Sequence, residues 1–135
     1  MRKIGLWIDS REALIVSFEN GRLSHHRIFS GIESKPRYKG ESSRKSKRAI
    51  GFDYETSQQA HYNEWLKKYI QSVVDILRGS SAVIYITGPG TVRITLENAL
   101  RKVRNIRVLK NDALGHLTEA RKIEAIRQFF ESVNG

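Results

Sequence analysis

Apolar residues open the chain in two short runs, 3–9 (KIGLWID) and 13–19 (ALIVSFE), both rich in β-branched and aromatic side chains. The polar triplet Ser10-Arg11-Glu12 separates them and predicts a hairpin. Asn20-Gly21 is the strongest turn signal in the sequence, because both residues tolerate positive φ. It connects to a third strand, RLSHHRIFS, in which Leu23, Ile28 and Phe29 supply the apolar contacts. The chain therefore begins as an antiparallel meander.

Further on, Tyr62, Trp65, Leu66, Tyr69, Ile70, Val73, Val74 and Leu77 recur at steps of three and four, which is one apolar face of a long helix. Thr56 or Ser57 is its expected cap, and Gly79 its expected left-handed stop. SAVIYIT (81–87) is a continuous apolar run of strand length, the pattern of a strand buried on both faces. Gly88-Pro89-Gly90 ends it, and a second helix follows with Val92, Leu96, Ala99, Leu100 and Val103 on one side. A short strand is expected over 106–109, then a polar segment NDALGHL, then Thr118 as cap of a last helix carrying Ile123, Ile126, Phe130 and Val133. The order β-β-β-α-β-α-β-α predicts an α/β, ribonuclease H-like three-layer fold, in which a mixed five-stranded sheet has its later strands parallel to the first. With no internal repeat, residues 1–135 read as one domain.

Charge changes this picture in one place. Between the third strand and the long helix lies KPRYKGESSRKSKR, with seven basic residues (Lys35, Arg37, Lys39, Arg44, Lys45, Lys47, Arg48) against the single acid Glu41. That is +6 of a whole-chain formal charge of +10. No hydrophobic period runs through it, so the loop at about 35–55 has nothing to bury and much to offer a polyphosphate. Tyr38 and Phe52 flank the charge, placed to stack on exposed bases. The plainer alternative is a solvated connection. The absence of cysteine removes disulfides and thiolate metal sites. No apolar run is long enough for a signal peptide or a membrane span, so a cytoplasmic location and no membrane partner are expected.

Little else in the sequence offers chemistry. Asp9, at the end of the first strand, could begin a carboxylate cluster for metal-dependent phosphodiester cleavage. The competing role is to accept hydrogen bonds from the Ser10–Glu12 turn, and the strand ending Thr87-Gly88-Pro89-Gly90 supplies no partner acid. Gly88-Pro89-Gly90 lacks the spacing of a P-loop or a dinucleotide fingerprint and reads first as a tight turn, with Thr91 and Arg93 as anion contacts in the minority reading. His25 and His26 point to opposite faces of one strand and cannot share a metal. No nucleophilic triad or dyad can be assembled, and no cofactor or metal is implied.

The segments RKIGLWIDSREALIV and SAVIYITGPGTVRITLENAL together resemble small bacterial translational machinery proteins, related to the central domain of archaeal and eukaryotic peptide release factors and of Pelota. The strand followed by Gly-Pro-Gly, with Arg93 three places on, is similar to the corresponding strand–turn–helix of that domain. The resemblance implies a ribonuclease H-like fold. In release factors the loop before the long helix carries Gly-Gly-Gln, which supports peptidyl-tRNA hydrolysis at the ribosome. This sequence has no Gly-Gly-Gln, and Thr56-Ser57 ahead of Gln58-Gln59 cannot reproduce a diglycine backbone. Pelota-type domains also lack the motif and act in ribosome rescue through RNA contacts and partner recruitment.

The expectation is a non-catalytic, RNA-binding, translation-associated protein, with ribosomal RNA and other translation factors as partners. Lys67, Lys68, Arg101, Lys102 and Arg104 would be secondary contributors. Two alternatives stay open: a metal-dependent, ribonuclease H-like nuclease centred on Asp9, and an interaction module whose basic loop folds on an acidic protein. The oligomeric state is not legible in the sequence.

Overall fold

The computed structural model of the chain describes residues 2–31 and 60–134. Strands β1 (Arg2–Ile8), β2 (Glu12–Glu19) and β3 (Arg22–Phe29) form the expected meander. Helix α1, described over 60–77, is followed by β4 (Ala82–Gly88), α2 (Val92–Leu100), β5 (Ile106–Ala113) and α3 (Glu119–Asn134). The strands lie in the order β3-β2-β1-β4-β5. β1 pairs antiparallel with β2 and parallel with β4, and β4 pairs parallel with β5. This is the mixed, ribonuclease H-like sheet.

Alternation along β1 sorts the core into two layers. Ile4, Leu6 and Ile8 face α1 and α2, where they meet Tyr69, Val73, Leu77, Leu96 and Leu100. Trp7 faces the other way, toward Ile126 and Phe130 of α3. β4 is buried on both sides, with Ile84 and Ile86 in the first cluster and Tyr85 in the second. Thr87, fully buried, satisfies its hydroxyl by donating to the Leu6 carbonyl at 2.8 Å. His25 and His26 lie opposite Val16 and Ile15, which belong to different clusters, so the two rings do take opposite faces.

Gly5 sets how closely α3 approaches the sheet: a Cβ there would stand 2.2 Å from Cγ2 of Ile126. Gly5→Ala should therefore destabilise the domain by about 1–3 kcal/mol through overpacking. Urea unfolding checks this, and an unchanged midpoint would show that Ile126 swings aside freely.

The turns follow their residues. Asn20 (φ 50°) and Gly21 (φ 79°) both occupy the left-handed region. Oδ1 of Asp9 accepts the backbone amides of Arg11 and Glu12, each at 2.9 Å, so the hairpin role of Asp9 is realised. Thr118 accepts the Arg121 amide at 3.2 Å and caps α3.

Two expectations are corrected. Gly79 does not take a positive φ. The end of α1 is closed instead by Asn105, whose side-chain amide donates to the Arg78 carbonyl at 3.2 Å, so no left-handed residue is needed to satisfy it. β5 runs past residue 109 to Ala113. Ile84 pairs with Val108 and Tyr85 with Lys110, so Leu109 is the extra residue of a bulge. The polar residues beyond it remain in the strand because Asn111 and Asp112 find side-chain partners across the sheet and on α2. The proposed caps Thr56 and Ser57 fall outside the described residues.

Candidate nucleic-acid interface

The parallel strands β1 and β4 end side by side, and an open crevice of about 380 Å³ lies over their carboxyl ends. Such ends are where α/β sheets usually receive ligands. One wall is the turn Asp9-Ser10-Arg11, another is Pro89 to Val92 at the start of α2, and His116 closes the side. Gly90 (φ 64°) makes the sharp entry into α2. His116 Nδ1 stands 3.9 Å from Asp9 Oδ2, and its ring meets the Trp7 indole edge-on at 5.4 Å.

The chain connecting β3 to α1 leaves from and returns to this same end. The Ser30 amide donates to the Arg11 carbonyl (2.9 Å) and its hydroxyl to the Ser10 carbonyl (2.7 Å). On the returning side, Trp65 Nε1 donates to the Ser30 carbonyl at 2.9 Å, and the Tyr69 hydroxyl donates to the Asp9 carbonyl at 3.0 Å. Both flanks are thus fastened to the β1–β2 turn. Lys35, Arg37, Tyr38, Lys39, Arg44, Lys45, Lys47 and Arg48 themselves lie outside the described residues, as does Phe52.

The flanks bring aromatic surface. Tyr62 and Trp65 are 5.2 Å apart between ring centroids, and Trp65 stacks on Tyr69 at 5.7 Å. Tyr62 stays 39% exposed and Phe29, at the end of β3, 65%. The helical period had marked Tyr62 as core. Among the described residues of α1 it joins neither core cluster.

Arg93 is placed on the α2–β5 seam, away from the crevice lining. Its Nη1 donates to Asn111 Oδ1 at 2.9 Å, and Asn111 returns bonds to the Arg93 carbonyl (3.2 Å) and to Glu97 (2.8 Å). The Asn111 amide, followed by the guanidinium groups of Arg101 and Arg93, holds the Glu97 carboxyl below the usual carboxylate range. The stabilisation this carries is present above the ordinary glutamate value and lost on acidification.

A polar network that no motif announced lies on the α3 side. Glu12 faces Arg27 (3.4 Å) and Lys122 (3.8 Å), while Glu119 takes Arg27 and His25. Lys122, almost fully buried, sits 3.4 Å above the Trp7 ring, a cation–π contact that helps offset its desolvation. These residues come from four elements and share no sequence spacing. Among the described residues no group of three histidine or acidic side chains is placed to hold a metal ion. No described helix is long and apolar enough to cross a membrane.

No protein-family model matches the chain, and no curated protein matches it in sequence. Among solved structures, the Pelota protein of Thermoplasma acidophilum is similar in fold, with a TM-score of 0.55 at 17% identity over 94% of this chain. The match covers 32% of the Pelota chain, so this protein spans about a third of it. A Ppx/GppA protein of Aquifex aeolicus aligns over 82% of this chain and 35% of its own at 18% identity, but its TM-score of 0.27 carries no argument. The Pelota likeness establishes the fold.

Proposed function

We propose that this chain is a translation-associated RNA-binding protein without hydrolytic chemistry of its own, whose segment Lys35–Arg48 contacts backbone phosphates. The observation that carries the reading is the fastening of both flanks of that segment to the β1–β2 turn, within a fold shared with Pelota. A +6 segment whose described flanks meet at one end of the domain suits a polyanion there. Arg93 and the exposed Phe29 and Tyr62 stand as supporting contacts, the aromatics by stacking on bases.

The resemblance to release-factor central domains and to small bacterial translational machinery proteins favours ribosomal RNA as the partner, other translation factors as neighbours, and the cytoplasm as the location. With no Gly-Gly-Gln in the sequence, the reading stops at binding. Asp9 gives no support to a nuclease centre, since Oδ1 is occupied by two turn amides.

The test is neutralisation of Arg44, Lys45, Lys47 and Arg48 to glutamine. The slope of log K against log salt for single-stranded RNA should fall by about 3, at about 0.7 per phosphate contact. An unchanged slope removes the segment from the mechanism. Nuclease-sensitive copurification with ribosomal RNA should accompany the wild-type chain and be weakened in the variant.

A further inference from the structure

We infer that the opposite end of the domain carries a second, rigid phosphate-contacting surface for the same class of ligand, an RNA backbone. The inference rests on the RNA-binding reading above but uses none of the residues of the 35–48 segment.

Three connections, β2–β3, α1–β4 and α2–β5, meet at the amino ends of the parallel strands. The Arg2 amide donates to the Ser81 carbonyl at 3.2 Å, and the Ala82 amide to the Asn105 carbonyl at 3.1 Å. With the Asn20-Gly21 turn on the far side of β1, this makes one continuous edge from β3 to β5. Four inter-strand steps of about 4.8 Å give it a length of about 19 Å. An open groove of about 710 Å³ runs into it, lined by Arg2, Lys3, Phe18, Glu19, the Asn20-Gly21 turn, Ser80 and Ser81.

Two acids at this end are already engaged: Glu19 with Arg2 (3.9 Å) and Asp75 with Arg78 (3.2 Å). Lys3, Arg22, Lys102 and Arg104 form no ion pair among the described residues, and the last three are exposed. Arg2 Nε is buried and faces Glu19 Oε2 at 3.9 Å, so the charge of Arg2 is already balanced at the groove's wall. Two serine hydroxyls and a row of cations outside any ion pair suit phosphate oxygens.

The spread of charge selects the ligand class. Cations distributed along about 19 Å exceed the reach of one phosphate and match a chain of them. The backbone here is fixed, with the Lys102 and Val103 amides bonded to Ala99 and Leu100 carbonyls at 3.3 and 3.0 Å, so little ordering entropy is lost on binding. β1 is seven residues long, which separates this surface from the Ser10–Arg11 end by about 23 Å. An RNA touching both ends must run along the domain.

The experiment compares Arg22→Gln/Lys102→Gln/Arg104→Gln with the 44/45/47/48 glutamine variant and with the combination of both. Single-stranded RNA is titrated from 50 to 200 mM salt against each. The triple variant should lower the salt slope by about 2, shrinking the affinity loss across that range roughly twentyfold, and the two effects should add. Circular dichroism and the melting temperature should match wild type, because all three side chains are exposed. A triple variant with wild-type slope beside a weakened 44/45/47/48 variant overturns the second surface and leaves the first reading standing. A reduced slope in the triple variant alone supports the second surface and overturns the role of the basic segment. Two unchanged slopes overturn both.

Discussion

Gly88→Ala should abolish or nearly abolish folding, with a loss of about 4 kcal/mol or more from a total that for domains of this size is typically about 5–15 kcal/mol. Two independent costs meet at this residue. Its φ of 147° is open to glycine and strained for any side chain. A Cβ would also stand 2.0 Å from the Ile8 carbonyl oxygen and 3.1 Å from its carbon, which are backbone atoms of β1 with nowhere to go. Relief would require β1 and β4 to part at the end that forms the crevice floor. Gly90→Ala is the control, since Gly90 has a φ of 64° but open space around its Cβ position, and should cost only about 1–2 kcal/mol. Urea unfolding of both variants decides the matter. Equal losses would mean that conformation alone, and not the approach of β1 to β4, calls for glycine at 88.

That residue also marks the boundary of what the sequence made legible. Most strands and helices were readable from their apolar residues: short β-branched and aromatic runs bounded by turn signals for β1 and β2, unbroken apolar character for β4, three-and-four spacing for α1 to α3; β3, largely exposed, was readable from the Asn20-Gly21 turn before it. Their order then left few topologies, and the mixed sheet followed. The need for Gly88 was only half visible, as a turn signal, because the second cost comes from a carbonyl eighty residues away.

The same limit explains the corrections. Asn105 caps α1 from another connection, so a glycine that satisfies the local stop signal has no left-handed role to perform. β5 continues through polar residues because Tyr85, Arg93 and Glu97 supply partners that no local window contains. The Lys122–Trp7–Glu12 cluster and the charged edge at Arg2, Arg22, Lys102 and Arg104 are likewise products of packing. Lys102 and Arg104 were noticed as basic residues, but their alignment with Arg2 and Arg22 needed the sheet order. The turn role of Asp9, by contrast, was legible, because its carboxylate bonds the backbone amides of Arg11 and Glu12 within four consecutive residues.

Stability should fall steeply above pH 10, and two tyrosines account for the fall. Burial, and then the charges of Asp9 and Glu12, push the Tyr69 hydroxyl far above its ordinary value. Burial, and then the hydrogen bond to Asp112, raise Tyr85 to about 12. Both phenols must stay neutral in the folded protein: Tyr69 donates to the Asp9 carbonyl, and Tyr85 donates to the Asp112 carboxylate at 3.0 Å while stacking on Phe129 at 3.9 Å. An unfolded tyrosine releases its proton near pH 10, whereas these retain it. Above that pH the unfolded chain therefore binds fewer protons than the native one, and stability declines as pH rises. Below pH 10 the contribution is fully present. For Tyr69 the decline approaches about 1.4 kcal/mol per pH unit, continuing until the fold yields. Tyr69→Phe should lose about 1 kcal/mol near neutrality, for the hydrogen bond to Asp9, and gain a shallower alkaline slope by one proton. Urea midpoints measured from pH 8 to 12 read both effects, and comparison with the variant subtracts the titration of the lysines. An alkaline slope identical in wild type and Tyr69→Phe would show that Tyr69 ionises freely, and that the β1–β2 turn is looser than its hydrogen bonds imply.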